Sequence, residues 1–118
     1  MEGTSSQEMK IAIKQFDEEA VIRLSGRLDM NASPDFGRAV LALFLKGKCK
    51  NLTIDLSGVP LIDTSGLATL MEILVMAGDR SVQLVFVGLN ERLRYLIEVN
   101  GLTGFFKIGN PVQEKSRA

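Results

Sequence analysis

Short apolar runs rich in β-branched residues alternate along this chain with segments of helical periodicity, and this order restricts the possible folds more than any other feature. Residues 9–16 and 20–25 are predicted to be two strands of a hairpin, separated by an acidic turn. Further strands are predicted at 51–56 and 82–87. The second of these is almost entirely apolar, as in a strand buried on both faces. A short final strand is predicted over 105–108.

Three helices are predicted from capping residues and apolar spacing. Their expected spans are Ser33 to about Lys46, Gly66 to about Ala77, and a third from the cap Asn90 to Asn100-Gly101. Ser33 is the expected cap of the first helix, with Pro34 in its first position and Gly47 at its end. A hairpin followed by alternating helices and strands predicts an α/β fold. We expect a single-layer mixed, mostly parallel β-sheet with about three to four helices.

The chain length of 118 residues suits one domain. Residues 1–8 and 109–118 lack periodic apolar positions, so we expect flexible tails on both sides of a domain at 9–108. No segment has the roughly 18 apolar residues that a membrane span needs, and no signal-peptide pattern is present. A cytoplasmic protein without membrane insertion is expected.

The composition excludes several kinds of chemistry. The chain has no His and one Cys, which removes histidine bases, Ser-His-Asp triads and the usual zinc sites. Lys plus Arg number 14 and so do Asp plus Glu, so the net charge of zero attracts no nucleic acid over long range. We expect a protein that is not an enzyme, that needs no cofactor or metal, and that binds no nucleic acid.

Two loops at one end of the predicted sheet carry the polar residues of interest. Asp29 follows the second strand, and Asp63, Thr64, Ser65 and Gly66 follow the third. Because right-handed crossovers place the carboxyl ends of parallel strands at the same edge, the two loops should be neighbours. The three polar residues before the glycine can simply cap a helix. Alternatively, a hydroxyl there is well placed to carry a phosphate, which backbone N–H groups would hold.

The second helix is apolar over most of its surface. The stripe expected to face the sheet consists of Leu67, Leu70, Met71, Leu74 and Ala77. Thr69, Ile73 and Met76 are expected on the opposite side. Either the helix is buried on both sides, or these three residues form an apolar partner surface continuous with Ser65.

Three segments resemble a known family. They are LSGRLD at 24–29, DLSGVPLIDTSGL at 55–67 and, more loosely, GLTGFF at 101–106. These motifs resemble those of STAS domains, specifically the stand-alone anti-sigma factor antagonists, also called anti-anti-sigma factors. The resemblance covers about residues 9–108, and its middle motif is the specific one.

The resemblance implies a switch protein. In that family the serine before the Gly-Leu pair is phosphorylated by an anti-sigma factor serine kinase, and this serine corresponds to Ser65, with Thr64 as the alternative. Asp29, Asp63 and Gly66 are implied as neighbours of that site, and Asp29 also as a partner-binding residue. The unmodified protein would bind the kinase and so release a sigma factor; a phosphatase is a further candidate partner.

A second interpretation stays open within the same family. A STAS subunit of a transport complex or a signalling scaffold would bind its partner constitutively, and its hydroxyl would not be phosphorylated. The motif occurs in both kinds of protein and does not separate them.

Overall fold

The computed structural model describes residues 9–106 and has the predicted order of elements as far as the third helix. The strands are β1 (Lys10–Phe16), β2 (Glu19–Ser25), β3 (Asn51–Gly58) and β4 (Gln83–Val87). The helices are α1 (Ser33–Leu45), α2 (Thr64–Asp79) and α3 (Glu91–Val99), followed by a 3₁₀ turn (Thr103–Phe105).

The four strands form one mixed sheet in the order β1-β2-β3-β4. β1 pairs antiparallel with β2, and Ile13 lies opposite Ile22. The β2–β3 and β3–β4 pairs are parallel, with Ile22 beside Ile54 and Ile54 beside Phe86. The predicted α/β fold, with an N-terminal hairpin and a mostly parallel sheet, is confirmed.

Alternate residues of β2, β3 and β4 pack under the helices in one continuous core. The strand residues in this core are Ala20, Ile22, Leu24, Leu52, Ile54, Leu56, Leu84 and Phe86. All three helices contribute to it, for example through Phe36, Ile73 and Leu93. Each fully buried Leu, Ile or Phe stabilises the fold by about 1.5–3 kcal/mol relative to leaving it exposed. The period-2 pattern of the strands therefore fixes which face receives the helices.

The start of α1 differs from the prediction. Ser33 is not its cap: the N-cap position is Ala32, and no side chain caps the helix. Instead, the backbone carbonyl of Asp29 accepts hydrogen bonds from the N–H groups of Ala32 (3.1 Å) and Ser33 (2.8 Å). Gly47 ends the helix as predicted, with a φ of 78° and its N–H bonded to the carbonyl of Phe44.

The other two helices begin at side-chain caps. α2 begins at Thr64, two residues before the predicted Gly66, because Asp63 is its N-cap and accepts the Gly66 N–H at 2.9 Å. The simple capping role considered for Asp63 is thereby confirmed. Asn90 caps α3 as predicted and accepts the N–H three residues further on at 2.8 Å.

The carboxyl end of the described chain contains no strand at the predicted place. Phe105 belongs to the 3₁₀ turn, and the rest of the predicted strand, apart from Phe106, lies outside the described residues. Phe106 is buried, with its ring centroid 5.0 Å from that of Phe86. The tails predicted at 1–8 and 109–118 also lie outside the described residues. None of the helices within 9–106 has the length and apolar character that a bilayer crossing demands.

Candidate functional site

The loop after β2 and the loop after β3 are joined by backbone hydrogen bonds. Leu28 donates its N–H to the carbonyl of Leu61 (3.2 Å) and accepts the N–H of Asp63 (3.3 Å). These bonds form a short parallel bridge between Leu28 and Ile62. Asp29 is therefore held one residue away from this contact, and the structure brings the two loops together as the topology predicted.

The first turn of α2 rests directly on this bridge. Gly66 is buried, and a Cβ atom built on it would lie 2.6 Å from Cγ1 of Ile62. Thr64 on the same turn is exposed, and Ser65 is half-buried. The backbone carbonyl of Ser65 accepts the hydroxyl of Thr69 at 3.1 Å. The side chain of Ser65 therefore lies at a helix start whose first N–H groups have no partner within the helix.

Asp29 uses its carboxylate within its own loop. The Oδ1 atom accepts the N–H of Asn31 at 3.0 Å and that of Ala32 at 3.1 Å. Met30, which lies between Asp29 and Asn31, is 67% exposed. Asp29 is half-buried and close to the start of α2, but its hydrogen bonds shape the turn that leads into α1.

The expected partner surface on α2 is wrong in two of its three residues. Ile73 has no exposed surface, Thr69 is 8% exposed, and Met76 is half-buried. The buried residues of α2 are Gly66, Thr69, Leu70, Ile73 and Ala77. At 100° per residue this buried arc is rotated by roughly 80° from the predicted stripe. The cause is α1, which packs on that side: a Cβ atom at Gly37 would lie 3.9 Å from Cγ2 of Thr69.

Three exposed apolar side chains in the same elements were missed from the sequence. Met30 follows Asp29, Leu61 lies in the loop before α2, and Val75 lies on the outer face of α2; they are 67%, 36% and 62% exposed. Met30 and Leu61 were detectable as large apolar residues in loops, where no periodicity assigns them to the core. Val75 could not be recognised until the buried arc of α2 was known.

A buried carboxylate lies near the carboxyl end of β3. Asp55 is 8% exposed. It accepts the N–H and the hydroxyl of Ser57, at 2.9 and 2.7 Å, and the Nε–H of Arg23 at 3.1 Å. Burial by itself would raise the pKa of Asp55, but the hydrogen bonds from Ser57 and the charge and bond of Arg23 outweigh it. The pKa therefore lies below its ordinary value of 3.8.

The remaining chemistry of the described chain is modest. Between residues 9 and 106, no group of three His, Cys, Asp or Glu side chains is placed to hold a metal ion. Cys49 is buried, and this burial raises the pKa of its thiol. The polar features of the site are therefore the hydroxyl pair Thr64 and Ser65 at a helix start and three carboxylates, Asp29, Asp55 and Asp63, that accept hydrogen bonds from nearby groups.

Comparison with known proteins identifies the family. The STAS domain family matches residues 10–115. The anti-sigma-B factor antagonist of Listeria monocytogenes is 30% identical over 103 residues, which are 86% of this chain and 90% of that protein. The chain belongs to the STAS domain family.

Solved structures share the fold. An anti-sigma factor antagonist from Mycobacterium paratuberculosis superposes with a TM-score of 0.77 at 25% identity, over 89% of this chain and 87% of that one. The Bacillus cell fate determinant SpoIIAA in its phosphorylated form has a TM-score of 0.72 at 16% identity, over 92% of this chain and 98% of that one. At 16% identity the second likeness is one of fold.

Proposed function

We propose that this chain is an anti-sigma factor antagonist controlled by phosphorylation of Ser65. Its unmodified form binds an anti-sigma factor serine kinase and thereby releases a sigma factor. The observation that carries the proposal is the position of Ser65, which is half-buried in the first turn of a 16-residue helix. The name of the Listeria relative supports the same function.

In the proposed phosphorylation reaction the chain is the substrate of the kinase. The kinase transfers the γ-phosphoryl group of ATP to Oγ of Ser65: the new Oγ–P bond forms, the bond to ADP breaks, and the hydroxyl proton passes to a base of the kinase. The positive end of the dipole of α2 favours the added negative charge. The modified chain should therefore stay folded.

The phosphate opposes partner binding by electrostatics. Phosphoserine carries about −1.5 to −2 charges near neutral pH. Asp63 caps the same helix turn, so a closed interface would bring like charges together, at a cost of several kcal/mol. A cost of that size lowers affinity by orders of magnitude, and the modification therefore works as an off-switch.

The proposed contact surface consists of the exposed side chains of Met30, Leu61 and Val75, which we call the rim. It replaces the surface predicted from Thr69, Ile73 and Met76, because Thr69 and Ile73 are buried. Met30 and Leu61 lie in the two loops that are bonded to each other at the start of α2, whereas Val75 lies about 15 Å further along the helix than Ser65. A partner that covers all three side chains would also contact Ser65 and so sense the phosphate.

Incubation with candidate anti-sigma factor kinases and ATP tests the acceptor. Intact mass should show one added phosphate on the wild type and on Thr64→Val, and none on Ser65→Ala. Equal modification of Ser65→Ala would assign the phosphate to Thr64.

Binding assays on the same samples test the switch. Unmodified wild type and Ser65→Ala should bind the kinase, whereas the phosphorylated form should bind at least about tenfold more weakly, a difference of about 1.4 kcal/mol. If no kinase modifies the chain and a transport or scaffold protein binds it constitutively, the second interpretation is correct.

A further inference from the structure

We propose that Asp29 acts in partner binding as a positioning residue, through the turn it closes, and that Met30 at the tip of this turn is an apolar anchor for the partner. This inference rests on the proposed function, because the partner is the same kinase that modifies Ser65. It differs from the role implied by the family resemblance, in which the charge of Asp29 matters because it lies near the phosphate.

Asp29 closes the turn with both its side chain and its backbone carbonyl. Oδ1 of Asp29 accepts the N–H groups of Asn31 and Ala32, and its backbone carbonyl accepts those of Ala32 and Ser33. Such Asx turns fix a short loop without help from neighbouring elements. The geometry of the Met30 backbone therefore depends on an acceptor oxygen at the side-chain position of Asp29, with no requirement for a negative charge.

Met30 is placed as an anchor would be. Its side chain is 67% exposed, although methionine is a flexible, polarizable residue that commonly fills apolar pockets. Because the turn around it is fixed, little backbone entropy remains to be lost when a partner covers it. The complementary feature on the partner is an apolar pocket.

Backbone hydrogen bonds connect the turn that contains Met30 to the start of α2, which carries Ser65. Leu28 has no exposed surface and is bonded on one side to Leu61 and on the other to Asp63, the cap of α2. The tip of the turn and the start of the switch helix are thus fixed relative to each other. A partner that contacts the region of Ser65 reaches Met30 on the same rim.

Three substitutions of Asp29 separate geometry from charge. Asp29→Asn keeps an acceptor oxygen at the same position and removes the charge. Asp29→Glu keeps the charge and moves the carboxylate by one methylene, out of the Asx geometry. Asp29→Ala removes both. We expect Asp29→Asn to bind the kinase like the wild type, and both other variants to bind about tenfold or more weakly, by about 1.4 kcal/mol.

A matched pair tests the anchor. Met30→Ala should weaken binding by about tenfold or more. Leu45→Ala should not, because Leu45 is equally exposed, at 65%, but lies at the far end of α1, roughly 18 Å from its start. Thermal melts of every variant check that the fold is kept.

Amide hydrogen exchange of the free chain gives a readout that does not need the partner. The amide of Asn31 should lose protection in Asp29→Ala and Asp29→Glu but keep it in Asp29→Asn, whereas Ala32 keeps its bond to the Asp29 backbone carbonyl in all three variants. Binding by Asp29→Glu together with failure of Asp29→Asn would overturn the inference in favour of charge, and unchanged binding in Asp29→Ala or Met30→Ala would overturn it outright. If the wild type binds no kinase, the proposed function fails, whereas wild-type binding combined with either of the above results refutes only the role of this turn.

Discussion

Gly66 lies so close to Leu28 that a Cβ atom built on it would stand 2.4 Å from the Leu28 carbonyl oxygen. The same oxygen accepts the N–H of Asp63, the residue that caps α2. One carbonyl of the loop after β2 therefore meets both the cap and the first turn of the switch helix. The two loops can touch in this way only because position 66 has no side chain.

Replacing this glycine should separate the loops. Gly66→Ala forces a backbone shift, and we expect a loss of about 1–3 kcal/mol in the free energy of unfolding, as for other overpacked sites. Gly78→Ala is the control on the same helix, because nothing lies within 4 Å of its Cβ position. It should raise stability, by up to about 1 kcal/mol. Urea unfolding measures both, and equal effects of the two changes would refute the close contact.

Two lysine substitutions test which face of α2 is buried. Ile73 has no exposed surface, and Val75 is 62% exposed. Ile73→Lys buries an unpaired charge and should lower the free energy of unfolding by several kcal/mol. Val75→Lys should change it by no more than about 0.5 kcal/mol while weakening partner binding. Thermal melts beside binding isotherms separate these effects, and a stable Ile73→Lys variant would show that the predicted stripe had been correct.

The cap of α2 should contribute measurably to stability. Asp63→Ala removes the acceptor for the Gly66 N–H and should cost about 0.5–2 kcal/mol. Asp63→Asn keeps an acceptor oxygen and should recover most of this loss. Chemical denaturation of the three proteins checks the order. An Asn variant as unstable as the Ala variant would assign the effect to the charge acting on the helix dipole instead of the hydrogen bond.

Acid should remove the stabilisation provided by Asp55. Its folded-state pKa lies below the ordinary value of 3.8, so the folded state binds this proton less readily than the unfolded chain. The contribution is present above pH 3.8 and is lost as the pH falls through the folded-state pKa. The difference in unfolding free energy between wild type and Asp55→Asn should therefore narrow on acidification.

Ser57→Ala provides a second arm for this test. It removes one of the hydrogen bonds that lower the pKa of Asp55, so NMR titration should show the carboxyl protonating at a higher pH than in the wild type. An unchanged titration would exclude the hydroxyl as a cause of the shift.

Local sequence patterns were enough to predict the order and type of the main elements. Alternation of apolar residues specified the hairpin and β3, and local hydrogen-bond chemistry placed Asn90 as a cap and Gly47 as a stop. These features depend on residues a few positions apart, so the chain carries them without reference to the rest of the fold. The sequence also placed Asp29 and Asp63 at the same edge, because the handedness of parallel crossovers is nearly invariant.

The buried face of α2, by contrast, depends on how the helices pack. Apolar residues cover most of this helix, so the periodicity does not single out one buried face. Because α1 packs against Thr69, the observed buried arc is rotated by roughly 80° from the predicted stripe. The sequence likewise did not predict that Arg23 pairs with Asp55, 32 positions away, or that Met30 is exposed. Each depends on neighbours that are distant in sequence, and those neighbours meet only when the helices have packed on the sheet.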